Sequence, residues 1–139
     1  MTAKEYLSQA YRLDRRIDSK LEQLSALRET TTKATAVMND VVVSRTRNMQ
    51  SLQETIEKIV DMERELNTDI DTLVDLKREM TGFIKQVKSP QHQLILEMRY
   101  LTYKNWKDIA EALELDERYV YKLHGAALKQ FEKILSSGE

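Results

Sequence analysis

One proline, Pro90, and one glycine, Gly82, are the only residues of their kinds in the first ninety positions of this 139-residue chain. A chain that turns often needs residues that turn, so so little punctuation commits that stretch to long, uninterrupted helices. The length allows one medium domain or a small domain with an extended helical arm. With 32% charged residues and three glycines in all, the second arrangement is the economical one.

The N-terminal half reads as two amphipathic helices. Thr2-Ala-Lys-Glu5 fits a capping box, in which the threonine hydroxyl and the glutamate carboxylate satisfy free N–H groups at a helix start. Tyr6, Ala10, Leu13, Ile17, Leu21, Leu24 and Leu27 then recur at steps of three and four, a single apolar stripe on a helix about 40 Å long. The pattern breaks over residues 29–48, which carry threonines, Asn39-Asp40, Val41-Val42-Val43 and Ser44, and these predict a loop. Periodicity resumes with Met49, Leu52, Ile56, Ile59, Val60, Leu66, Ile70, Leu73, Met80, Ile84 and Val87, and Glu63 at a seam position suggests a local break. Helices over about 2–28 and 49–88 with a 29–48 connector predict an antiparallel, coiled-coil-like hairpin. The acids Asp61, Glu63, Glu65, Asp69 and Asp71 read as its solvated face.

Ser89-Pro90 marks the boundary between domains 1–88 and 89–139, because serine caps helices, proline suits a first turn, and the residue before proline resists helix. The elements then shorten: Pro90 to Leu101, with Leu94, Ile95, Met98 and Leu101 inward, Trp106 to Leu113, and Glu117 to about Leu135.

Charge and composition exclude several function classes. With no cysteine, disulfides, thiolate zinc sites and thiol nucleophiles are absent. MTAKEYLSQA lacks the basic region and apolar core of an export signal, and no apolar run could span lipid, so a cytoplasmic protein is expected. His92 and His124 stand alone and read as surface histidines, not metal ligands. No glycine-rich phosphate loop, nucleophile elbow or acid/base pair is visible, so neither a cofactor nor enzymatic activity is expected. A net charge of −1 advertises no nucleic acid globally, so any DNA binding must come from how charge is arranged.

Such an arrangement is present near the C-terminus. Ile109, Ala110, Leu113, Leu115, Val120 and Leu123 occupy the positions of a helix-turn-helix miniature core. Asn105 and Asp116 are placed to cap its two helices, and the acids at the second start, Asp116 and Glu117, complement the helix dipole. Glu114 stands where such turns usually have glycine, so a left-handed conformation there would be strained. On the other side of the second helix, Arg118, Tyr121, Lys122, Gly125 and Lys129 fall at i, i+3, i+4, i+7 and i+11, a basic and aromatic face. This predicts a major-groove reader with Arg118 and Lys122 at base edges, Tyr121 against a thymine methyl or sugar, Gly125 permitting close backbone approach and Lys129 on phosphate. Glu117 opens the same helix, and Lys104 and Lys107 are placed for the opposite phosphate strand.

The segment LEMRYLTYKNWKDIAEALELDERYVYKLHGAALKQF resembles the fourth region of bacterial sigma-70-type factors, which recognises the promoter −35 element. Leu96 to Tyr100 is similar to that region's first helix with its Arg-Tyr pair, Asp108-Ile109-Ala110 to its Glu-Ile-Ala, and Val120 to Leu128 to its Val/Ile-x-x-Ile…Ala-Leu pattern. The family's recognition helix commonly begins Arg-Glu-Arg where this chain has Glu117, Arg118 and Tyr119, and its glutamine contact position holds Lys122, so sequence preference does not carry over. The whole chain resembles small regulators carried by phages and prophages of Gram-positive bacteria. That resemblance implies a helical hairpin followed by a three-to-four-helix module, an all-α fold, and implies neither promoters nor partners. The leading expectation is a transcription regulator whose C-terminal module docks on promoter-like double-stranded DNA while the hairpin forms a homodimer or engages RNA polymerase. The chain lacks room for the aromatic, strand-opening region of a complete sigma factor. Two other readings stand beside it: an oligomeric coiled-coil scaffold, such as a small packaging subunit of terminase type, and a polymerase adaptor that does not touch DNA.

Overall fold

The computed structural model describes the backbone of residues 1–40 and 45–138, and the side chains of residues 1–36 and 49–138. Among the described residues the fold is all-α, with no strand: α1 (Ala3–Asp40), α2 (Arg45–Ile84), α3 (Pro90–Leu96) running into a π-helical turn (Glu97–Leu101), α4 (Trp106–Leu113) and α5 (Glu117–Ser137). None of these helices is long and apolar enough to cross a membrane.

The starts of the helices follow the sequence signals. The Glu5 N–H donates to the Thr2 hydroxyl at 3.2 Å and the Thr2 N–H to the Glu5 carboxylate at 3.3 Å, a reciprocal box. Ser89 accepts from the His92 N–H at the start of α3, and Asn105 from the Asp108 N–H at the start of α4. The expected loop over 29–48 is corrected: α1 continues through Asp40 and α2 already begins at Arg45, with Val41, Val42, Val43 and Ser44 outside the described residues. Threonine's modest helix propensity is too weak a preference to end the helix, and Thr30, Thr31, Thr32 and Thr35 each donate their hydroxyl to the carbonyl four residues earlier within it. At its other end α2 stops at Ile84, a turn short of the expected residue 88.

The chain divides into two compact units. The division falls within α1 and α2, elsewhere than Ser89-Pro90, which instead opens α3. One unit holds residues 15–72, the middle lengths of the two long helices. Lys20 bonds Asp69 at 2.6 Å and Arg28 bonds Glu63 at 2.8 Å, so as numbers rise along α1 they fall along α2, the antiparallel sense. The apolar positions of α2 separate here into two rows. Leu52, Ile59, Leu66 and Leu73 repeat every seven residues and are buried or half-buried. Met49, Ile56, Val60, Ile70 and Val74, most of them expected in the same seam, are 40–55% exposed, as is Leu21 on α1. A seam between two helices covers only a narrow stripe on each, too narrow for the broad apolar face of α2. Two acids are also corrected. Asp69 sits in the seam against Lys20, and Glu63 causes no break, because α2 is continuous and Arg28 holds its carboxylate.

The other unit joins residues 1–14 with 73–139. Its main core takes Tyr6, Leu7 and Ala10 from α1, Met80 and Ile84 from α2, Leu96 and Tyr100 from the α3 segment, and Ala127 and Phe131 from α5. Each large side chain fully buried here contributes about 1.5–3 kcal/mol. Tyr6, Phe83 and Phe131 pack with ring centroids 5.8–6.2 Å apart, and the Tyr6 hydroxyl donates to Glu79 at 2.9 Å. Burial and that carboxylate push the Tyr6 phenol well above its ordinary range. A second, smaller core gathers Ile95, Ile109, Ala110 and Val120 under Met98, Trp106, Leu113, Leu115 and Leu123. Leu94, expected inward, is exposed, because Ile95 and Leu96 between them serve the two cores.

Candidate nucleic-acid interface

The elements that present the basic face of α5 are fixed in a definite order. Lys77 on α2 donates to the carbonyl of Leu101 at 3.2 Å and lies 4.9 Å from the Tyr103 ring centroid, tying down the end of the π-helical turn. That turn closes through a bond from the Thr102 N–H to the Glu97 carbonyl. It presents Tyr100 to the core and Arg99 to the Trp106 ring, 4.6 Å from the centroid. Arg99 also donates to the carbonyl of Lys104, holding the loop that leads into α4.

Between α4 and α5 lie only Glu114, Leu115 and Asp116. The Glu114 N–H bonds the Glu111 carbonyl and the Leu115 N–H bonds the Ala110 carbonyl, the paired closures of a Schellman turn. Glu114 takes the left-handed position itself, at φ 55° and ψ 42°, where a side chain costs about 1–2 kcal/mol that glycine avoids. Asp116 occupies the cap position of α5 with extended backbone but no side-chain cap bond.

The expected contact residues are placed as follows. Arg118, Tyr121, Lys122, Gly125 and Lys129 are all exposed, on the side of α5 opposite the buried Val120, His124, Ala127 and Phe131. Lys104 and Lys107 are exposed at the entry to α4. Among the described residues none of these cations is in an ion pair. Their charge is therefore free for an anion. Glu117 is turned to a local task, accepting from the Tyr121 hydroxyl at 3.3 Å. Partial desolvation, and then that carboxylate, raise the Tyr121 phenol. A methyl group added at Gly125 would meet nothing within 4 Å, so the glycine leaves open backbone on this face. Ile109, Ala110 and Val120 are buried in the small core, with Leu113, Leu115 and Leu123 half-buried against it.

His124 is corrected from a surface histidine to a buried one. It lies within the inward row of α5, Tyr100 Oη is 2.7 Å from its Nε2, and its ring is 4.5 Å from that of Trp106. Burial, then the charges of Arg99 and Lys4, push its pKa down to about 4, so it is neutral near pH 7. His92 is half-buried and bonds Gln130 through Nδ1 at 2.9 Å. Arg99 is the residue that sequence reasoning left out of the site. Through Trp106, whose ring is 5.2 Å from that of Tyr121, it joins the start of the basic face. The one sequence signal for it was its place in the Arg-Tyr pair of the resembled region.

No group of His, Asp and Glu among the described residues is arranged to hold a metal ion. What the surface offers is a row of cations flanked by aromatic rings, geometry suited to a polyanion with apolar edges. No curated protein and no solved structure matches the chain. One family does, over residues 14–132, most of the two long helices and nearly all of the C-terminal module. The chain thus belongs to the family described as Protein of unknown function (DUF1492).

Proposed function

We propose that this protein is a DNA-binding transcription regulator that acts by binding and not by catalysis, in the cytoplasm, at promoter-like sites. The observation that carries this reading is the side of α5 with Arg118, Lys122 and Lys129 exposed and unpaired on a helix packed against α4 through a three-residue turn. We read this arrangement as a helix-turn-helix, a motif in which the second helix enters the major groove and its N-terminal residues reach base edges. Arg118 and Lys122 are the base readers, Tyr121 packs on a thymine methyl or sugar, and Lys129, Lys104 and Lys107 neutralise phosphates. The similarity of residues 96–131 to sigma region 4 supports RNA polymerase as the protein partner, in a regulator of the kind phages and prophages carry.

The test is selection of duplexes from a random pool by the purified full chain, followed by titration of the enriched sequence. One sequence class should be enriched. Arg118→Ala with Lys122→Ala should lower affinity for it at least thirtyfold, since each base contact discriminates by about 1–3 kcal/mol, with the circular dichroism spectrum unchanged. Equal affinity for every duplex, or an unaffected double variant, rejects the assignment. The exposed apolar row of residues 49–74 favours one second reading, an oligomeric scaffold of packaging-subunit type. A ring-sized particle in light scattering would mark it.

A further inference from the structure

We infer that a second copy of this chain docks antiparallel along the outer row of α2, about a two-fold axis at residue 65. The inference is independent of DNA binding.

The outer row is a coiled-coil seam that lacks a partner. Ile56, Val60, Glu63, Asn67, Ile70 and Val74 alternate steps of four and three, with Met49 one heptad before Ile56. The apolar members are 40–55% exposed while the inner row is covered by α1. From 56 to 74 the row spans about 27 Å. Leu21 widens it. The Arg28–Glu63 ion pair fixes the register, and Leu21 lies one heptad before Arg28 as Ile70 lies one heptad after Glu63, so the two share a flank. Single exposed apolar side chains are ordinary, but a continuous row on a helical hairpin is the surface that four-helix bundles bury.

The chemistry of the row selects its occupant. Read in opposite directions about residue 65, Ile56 meets Val74 of the partner subunit, Val60 meets the partner's Ile70, and Glu63 meets the partner's Asn67, whose amide donates to the carboxylate. From residue 56 to residue 74 every apolar residue of the row faces an apolar one and every polar residue a polar one, while Met49 lies beyond this matched stretch. A slip of one heptad either way sets Glu63 against a valine, Val60 or Val74, and Asn67 against an isoleucine, burying polar groups without partners. A parallel pair sets Glu63 against its own copy, two carboxylates with no donor beyond the Arg28 that each already holds, whereas the antiparallel pair gives each an amide donor. Glu54, Glu57, Asp61 and Asp71 outnumber the one cation, Arg64, at the neighbouring positions, which disfavours an anionic lipid surface as the occupant.

The chain has no cysteine, so introduced thiols report without background. Val60→Cys combined with Ile70→Cys should give a covalent dimer on mild oxidation. Neither single variant should, because like positions then stand about 15 Å apart along the axis. Light scattering of the parent protein should give twice the 16.3 kDa chain mass, and Val60→Glu with Ile70→Glu should return the monomer with helicity unchanged. A monomeric parent, a larger particle, or single variants that cross-link as readily as the double overturns the inference.

Discussion

At the scale of single residues, His124 carries the clearest consequence. Its pKa falls from the ordinary 6.5 to about 4 in the folded chain, so between those values the unfolded chain holds the extra proton. Stability therefore rises with pH across that window. The contribution is complete above about pH 6.5 and lost as pH falls toward 4, in total about 3 kcal/mol. Urea titrations at pH 4.5 and 7, followed by the fluorescence of Trp106, the chain's one tryptophan, should show a larger pH difference for the parent than for His124→Gln. Comparing the two cancels the carboxylates that titrate nearby. Equal differences would mean that His124 is not held neutral. The position was legible in part: Val120, Ala127 and Phe131 step along the inward side of α5, and 124 completes the row. Reading histidine as polar, and so as exposed, missed that the Tyr100 hydroxyl satisfies its ring and makes the burial tolerable.

At the scale of elements, the two long helices were legible because apolar residues recurring at steps of three and four left no other period. Their limits were not, because threonine propensity is a weak signal that context readily overrides, as at Thr30, Thr31, Thr32 and Thr35, all within α1. Nor did periodicity separate the two rows of α2, since both obey the same repeat and only the position of α1 decides which is covered. Within the covered seam Lys20 and Asp69 occupy core positions, their side chains 22% and 18% exposed, and Asp69 raises the lysine pKa. Such a pair does less for stability than apolar residues of similar size, and does more to fix alignment. Lys20→Leu with Asp69→Leu should raise the melting temperature seen by circular dichroism, whereas Asp69→Leu alone should lower it by stranding the ammonium group. A double variant that melts below the parent would show that the pair itself stabilises the hairpin.

At the scale of the whole molecule, the near balance of 22 basic and 23 acidic residues removes long-range attraction to a duplex. The proposed DNA affinity must then come from the few cations freed of partners: Arg118, Lys122 and Lys129 on α5, and Lys104 and Lys107 before and within α4. Each phosphate neutralised by a protein cation adds about 0.9 to the magnitude of the slope of log affinity against log salt. The three assigned to phosphate, Lys104, Lys107 and Lys129, thus bound the slope at roughly 2.7 per chain, and a dimer engaging both copies would double that ceiling. Lys129→Ala should reduce the slope by about 0.9 for every duplex alike, because a phosphate contact carries no sequence information. Arg118→Ala, by contrast, should weaken the selected sequence more than an unrelated one, since it removes a base contact. Fluorescence anisotropy between 50 and 200 mM salt measures both quantities on the same samples. If Lys129→Ala acted on the selected sequence alone, or Arg118→Ala weakened all duplexes equally, the roles assigned along α5 would have to be exchanged. If neither changed the slope, the basic face would not be the surface that meets DNA.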